Sequence, residues 1–187
     1  MRKCAVFSVA LLAVLSFMLP TQASAQGAFV GAGVTFPTGD YSDFGDGDGA
    51  KTGWLTMGGV SFPLADGGLS VFGEGFFGSN SHEEEGDKTN LYGAMGGVLF
   101  DAAEEGEAGL YAFGQAGFLV HSYKSDSFEE GSETGLAFAG GAGYGFPLGG
   151  VSGWIEGRYT HALFDDGNTT YFGFLAGLSF PLGGGDG

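Results

Sequence analysis

The chain has 187 residues, of which 40 are glycine, and a formal net charge of −16. This length suits one domain of ordinary size, and the charge excludes nucleic acid as a partner, since phosphate binding needs clustered lysine and arginine. Aromatic residues make up 15% of the chain, which excludes a disordered polymer, because disordered segments are poor in such side chains.

The N-terminal segment, residues 1–25, is predicted to be a secretory signal peptide. A basic start precedes an uncharged apolar run over residues 5–19, and residues 23–25 supply the small-residue cleavage signal Ala-Ser-Ala. This order is typical of exported precursors, and the run is shorter than the roughly 20 residues that a spanning helix needs. We expect a mature domain over residues 26–187, without a thiol, since Cys4 lies in the removed segment.

Glycine and other small residues alternate with large apolar residues along the rest of the chain, and this alternation predicts strands. Successive side chains of a strand point to opposite faces, so each segment has one face of large apolar residues and one face of small residues. Eight such segments are predicted, over residues 27–37, 51–64, 68–79, 89–101, 108–123, 134–148, 151–164 and 169–182. Each is long enough to cross a membrane, which takes about 9–11 residues in a tilted strand.

The connections differ in character at the two ends of the predicted strands. Acidic loops follow segments 1, 3, 5 and 7, whereas tight turns follow segments 2 and 6 and a longer acidic connection follows segment 4. The loops carry Asp40, Asp43, Asp46 and Asp48, then Glu83, Glu84, Glu85 and Asp87, then Asp126, Glu129, Glu130 and Glu133, and finally Asp165 and Asp166. Short turns on one side and longer loops on the other are typical of outer-membrane barrels, so we expect the acidic loops outside the cell.

A Phe-Pro pair recurs near the ends of four segments. Proline lacks a backbone donor and therefore belongs at the end of a strand ladder, and the phenylalanine would lie in an aromatic girdle at the water interface. The pairs are Phe36-Pro37, Phe62-Pro63, Phe146-Pro147 and Phe180-Pro181.

Segment 7 indicates which face lies inside. Glu156 and Arg158 share a face, opposite Ile155 and Tyr159, and a soluble core would not accept these charges unless they were paired. The interior of a membrane barrel is polar or small. We predict an all-β fold, an eight-stranded antiparallel up-and-down transmembrane β-barrel. Its interior would hold a polar network, which either gates a narrow pore or plugs the lumen, and the small strand number favours the plug. The predicted network is Glu74, Gln115, Glu156 and Arg158.

The mature chain resembles the small OmpA/OmpX-type outer-membrane β-barrels over essentially its whole length. The resemblance rests on Gly157-Arg158-Tyr159-Thr160, then a loop, then the strand from Tyr171 to Phe180. It implies a location in the outer membrane, in contact with lipid and lipopolysaccharide. Family members often end on an aromatic residue that the barrel-assembly machinery reads, whereas this chain continues through Pro181-Leu182 into a glycine-rich tail.

Catalytic, cofactor and metal sites are not expected. Arg158 and His161 form an Arg-x-x-His pattern similar to that of the outer-membrane lipid A deacylases, but Leu163 stands where their nucleophilic serine would be, so the nucleophile is missing. His82 and His121 lie near predicted strand ends, where structural roles are expected.

Two acidic runs offer oxygen ligands of the kind that divalent cations prefer. They are Asp43, Asp46 and Asp48, which lack the closing glutamate of a calcium loop, and Glu83 to Glu85. Solvated loops are the favoured interpretation of both. The sequence therefore predicts a structural or surface-interaction barrel, with a small porin-like channel and a lipid-modifying enzyme as the alternatives.

Overall fold

The structure, a computed structural model, describes residues 27–42, 49–64, 68–82, 86–103, 106–124, 131–165 and 167–182. The predicted signal peptide lies outside the described residues, and so do most of the acidic loop residues. These are Asp43, Asp46, Asp48, Glu83, Glu84, Glu85, Asp126, Glu129, Glu130 and Asp166. No helix in the described part of the chain is long and apolar enough to cross a membrane.

Eight antiparallel strands form one closed barrel in which every strand pairs with its neighbour in sequence and β8 pairs with β1. This confirms the predicted fold class, and no predicted strand end is more than three residues from the observed one. The strands are β1 (Gly27–Thr38), β2 (Gly53–Pro63), β3 (Leu69–Ser81), β4 (Lys88–Asp101), β5 (Gly109–Lys124), β6 (Gly131–Pro147), β7 (Ser152–Phe164) and β8 (Gly167–Pro181).

The two ends of the barrel differ less in connection length than the sequence predicts. We call the end that carries connections 64–68, 102–108 and 148–151 the turn end, and the opposite end the loop end. Only the first loop-end connection, residues 39–52, is much longer than the turns, and the one between β7 and β8 has two residues. The difference arises because strands continue into the predicted loops: Glu133 lies in β6, and its carboxylate accepts a hydrogen bond from the backbone of Asp165 (2.7 Å).

The outer wall of the barrel is apolar and the interior contains the polar groups. Large apolar side chains alternate outward along every strand, and Leu110 and Phe174 are 66% and 61% exposed. Buried charges and amides point inward on the alternate positions. In a soluble protein the apolar side chains would lie inside and the polar ones outside. The opposite arrangement seen here is stable where lipid covers the wall. Pro63, Pro147 and Pro181 are the last residues of β2, β6 and β8, as expected for a residue that cannot donate to a ladder.

Candidate functional site in the barrel lumen

A cluster of charged and polar side chains crosses the middle of the lumen. Arg158 of β7 lies between Glu74 of β3 and Glu156 of its own strand. Its Nη1 is 2.6 Å from Glu74 Oε1, and its Nε is 2.6 Å from Glu156 Oε1. Because β3 and β7 are on opposite sides of an eight-stranded barrel, the first ion pair bridges the full width of the lumen.

Two further side chains donate hydrogen bonds to the carboxylates of the cluster. Gln115 Nε2 donates to Glu74 Oε1 (3.0 Å), and the Tyr111 hydroxyl donates to Glu156 Oε2 (3.1 Å). Arg158 also lies over the Phe113 ring, with its Cζ 5.2 Å from the ring centroid. The structure thus brings together all four residues that the sequence singles out, and we call them, with Tyr111, the central cluster. Each of the four is at most 9% exposed.

Tyr111 is the member of this cluster that sequence reasoning missed. It lies four positions before Gln115 on β5, and residues separated by an even number in a strand share a face. That parity was the available signal. It was not sufficient, because tyrosine is as common in the aromatic girdle on the outside of such barrels as in a lumen.

Glycines on neighbouring strands make room for the long polar side chains. Gly97 pairs with Gln115 and Gly141 pairs with Arg158. A Cβ added at Gly97 would lie 2.6 Å from the Gln115 Cβ, and one added at Gly141 would lie 3.0 Å from the Arg158 Cα. Glycine is therefore required beside these side chains, and the glycine-rich inner face predicted from the sequence has a specific packing function.

The half of the lumen between the central cluster and the loop end is filled. Its side chains include the largest fully buried residues of the described structure, which are Tyr41, Tyr171, Leu55, Leu91, Leu119, Asn80, Thr35, Thr89, Thr160 and Thr169. Asn80 links strands there, since its Nδ2 donates to Thr35 Oγ1 (3.1 Å) and to the Lys51 carbonyl (2.7 Å). We call this region the loop half.

Tyr41 closes the loop half from above. It belongs to a short 3-10 helix, Gly39–Tyr41, that folds back over the barrel, and its ring packs edge-on against His121 with centroids 5.8 Å apart. The Ala50 amide donates to the Tyr41 carbonyl (2.9 Å), which fastens the first connection across the opening. Burial raises the pKa of the Tyr41 phenol further above neutrality.

The half between the central cluster and the turn end contains a cavity of about 1280 Å³. Phe29, Phe72, Phe113 and Trp154 line its wall, and Glu74, Glu156 and Arg158 close its inner end. It extends to the residues at the strand ends of the turn end, such as Pro63 and Pro147. We call this region the turn half.

The three histidines do not form a catalytic or metal site within the described residues. His161 points outward, on the face opposite Arg158, and its Nδ1 lies 2.9 Å from Thr170 Oγ1. The two side chains of the Arg-x-x-His pattern therefore do not meet in one site. His82 and His121 each place Nε2 beside Thr89 Oγ1, at 2.7 and 3.2 Å. In the described part of the chain, no group of three or more histidine, cysteine or carboxylate side chains is arranged to hold a metal ion.

Residues 9–180 match the family described as outer membrane protein beta-barrel domain. None of the curated proteins compared is similar enough to count as a relative.

Three solved structures show the same fold. The attachment invasion locus protein Ail of Yersinia pestis is 18% identical, with a TM-score of 0.56 over 85% of this chain and 100% of that one. Neisserial surface protein A is 12% identical, with a TM-score of 0.65 over 84% and 98%. Ail in complex with the heparin analogue sucrose octasulfate is again 18% identical, with a TM-score of 0.52 over 84% and 99%.

Proposed function

Because the chain belongs to the family of outer membrane protein beta-barrel domains and resides in the cell outer membrane, we propose that it is a structural and surface-interaction barrel that acts through its acidic loops. The observation that carries this proposal is the filled loop half. Leu55, Leu91 and Leu119 are at most 1% exposed there, and Tyr41 lies above them, so the barrel offers a rigid, closed platform and leaves its connections as the surface for partners.

The charge of the loop end supports a cation-dependent interaction. Its connections and adjoining strand ends carry fourteen acidic residues and three lysines, which are Lys51, Lys88 and Lys124. Carboxylate oxygens are the ligands that calcium and magnesium prefer, and such ions can link them to the phosphates of neighbouring lipopolysaccharide. A sulfated polyanion such as the heparin analogue bound to Ail would be repelled here, so we propose a different class of surface partner.

Binding of purified lipopolysaccharide to the protein in lipid nanodiscs, with and without calcium, tests this proposal. We expect calcium to increase binding to the wild type. The variant Glu83→Gln/Glu84→Gln/Glu85→Gln should lose most of the calcium effect, because the amide is neutral and similar in shape. The matched control Glu104→Gln/Glu105→Gln changes charge at the turn end and should behave as the wild type. Calcium-independent binding that is equal in all three proteins would refute the proposal.

A small porin-like channel is the second candidate function, because the turn-half cavity reaches the central cluster and leaves only the loop half to be crossed. Single-channel recording in planar bilayers decides between the two candidates. The surface-barrel proposal predicts no conductance steps from the wild type. Steps that disappear or change size in Glu156→Gln would establish the channel instead.

One further proposal concerns assembly. An enzymatic role is not proposed, and lipid A modification that is lost on His161→Ala would overturn that position. For assembly, we propose that the barrel-assembly machinery recognises the end of β8 at Phe180 despite the residues that follow it. Outer-membrane yield should then fall for Phe180→Ala and stay unchanged when residues 183–187 are removed.

A further inference from the structure

The turn-half cavity has walls that keep it open. Phe29, Phe72 and Phe113 follow one another edge to face, with ring centroids 6.3 and 6.0 Å apart. Flat rings that lie against the barrel wall leave the centre of the lumen free, unlike the leucines that point into the loop half. A site of about 1280 Å³ slightly exceeds the usual range for small-molecule pockets, roughly 300–1,000 Å³.

Glycines opposite the rings hold this arrangement in place. A Cβ added at Gly31 or at Gly177 would overlap the indole of Trp154, and one added at Gly59 would lie 2.5 Å from the Phe29 ring. The rings therefore occupy the space that side chains on the neighbouring strands would otherwise fill. The cavity is a feature of the inner wall's residue pattern and does not depend on the outer loops.

The charges of the cavity favour a cation. Among the described residues that line it, Arg158 is the only cation, beside four carboxylates, those of Glu74, Asp101, Glu107 and Glu156. The guanidinium already donates to both Glu74 and Glu156, so it has little to offer an anion. Outside the predicted signal peptide, every lysine lies at the loop end.

We propose that the turn-half cavity is a binding site for organic cations with an aromatic or apolar body. The cation would lie against Phe29, Phe72 and Trp154, whose ring faces attract positive charge, with Glu156 on one side and Asp101 at the mouth. An anion of the same shape would meet four carboxylates and, among the described lining residues, no cation outside an ion pair, and a neutral molecule would gain only the apolar contact. The site thus selects by charge as well as by size.

Tetraphenylphosphonium and tetraphenylborate are a suitable pair of probes, since they share shape and size and differ in the sign of their charge. The protein carries two tryptophans: Trp154 lines the cavity, and Trp54 is 46% exposed on the outer wall. In the variant Trp54→Phe, emission reports on the cavity alone. We expect saturable quenching by the phosphonium in nanodiscs of uncharged lipid and no saturable quenching by the borate.

Two variants separate binding in the cavity from partition into lipid. Asp101→Asn/Glu107→Gln removes two charges near the mouth without touching the central cluster, and about a tenfold loss of phosphonium affinity follows if each charge lies about 10 Å from the bound cation. Ser70→Phe places a ring in the cavity from β3 and should abolish saturable quenching. The heat-dependent shift on gels verifies that both variants fold. Equal quenching by both probes, or unchanged affinity in both variants, would overturn the proposal.

Discussion

The loop half and the turn half of the lumen are built from the same eight strands and yet are packed in opposite ways. In the loop half, leucine, threonine and tyrosine side chains from many strands meet in the centre, and Leu91, Leu119, Thr35 and Thr89 are completely buried. In the turn half, aromatic rings lie along the wall over glycines, and the centre is open. The central cluster forms the boundary between the two regions.

This difference assigns stability to one half of the lumen and leaves space for a ligand in the other. The outer wall gains little from lipid contact alone, because lipid chains are as apolar as the side chains that they touch. Close packing inside the loop half therefore supplies much of the specific stability, through many short-range contacts at high density. The turn half contributes less of that packing and can be left open for a ligand. The comparison leads to three predictions about stability, from the largest effect to the smallest.

The boundary itself carries the largest expected effect. Arg158→Met removes the cation that pairs with both Glu74 and Glu156 and leaves both carboxylates buried without their ion-pair partner. Breaking a buried ion pair in this way costs about 3–5 kcal/mol. Urea unfolding in lipid vesicles, followed by tryptophan fluorescence, measures the free energy of unfolding.

A compensated variant gives the control for that prediction. In Glu74→Gln/Glu156→Gln/Arg158→Met all three charges are gone, and most of the lost stability should return, since a neutral buried set avoids the desolvation of charges. A cost below about 1 kcal/mol for Arg158→Met would mean that water reaches the cluster from both sides, and the boundary between the halves would then not exist.

The second prediction compares truncations in the two halves. Leu119→Ala should cost about 3 kcal/mol, because the loop half cannot collapse around the vacated space. Phe72→Ala removes a larger side chain, but one that already borders the open cavity, and we expect a smaller cost of about 1–2 kcal/mol. The same urea titration measures both. If Phe72→Ala proved the more costly change, the turn half would be as tightly packed as the loop half.

The positions of the strands could be predicted from the sequence because alternation is a local property. The alternation predicts every strand end to within three residues, and the charges of Glu156 and Arg158 indicate which face lies inside. The sequence places Glu133 in a loop because its charge is typical of loops, whereas its partner, the Asp165 amide, lies 32 positions away in sequence. Charge alone cannot show where a strand ends.

The contrast between the halves could not be predicted from the sequence. Which side chains meet inside a closed barrel depends on the stagger of non-neighbouring strands. Alternation shows which residues face inward, but it does not show how far along the barrel axis each of them lies. Tyr41 illustrates a second limit, since its burial depends on the path of a fourteen-residue connection, residues 39–52. The available hint is that two aromatic residues, Tyr41 and Phe44, stand among the aspartates of this connection, and such a pattern indicates burial without showing where the buried ring lies.

The smallest effect, and the sharpest test of the open turn half, comes from two glycines of β6 that both face inward. A Cβ added at Gly143 would overlap the Tyr111 ring and lie 2.5 Å from the Ile155 carbonyl oxygen, whereas one added at Gly145 has no atom within 4 Å. Gly143→Ala should therefore destabilise the barrel by about 1–3 kcal/mol through overpacking. Gly145→Ala should stabilise it by about 0.4–1 kcal/mol, because alanine restricts the unfolded chain. The two variants differ by two positions on one strand, so lipid contact and strand propensity are matched. Equal destabilisation by both would show that the inner wall is packed as far as the turn end, and the contrast between the halves would have to be abandoned.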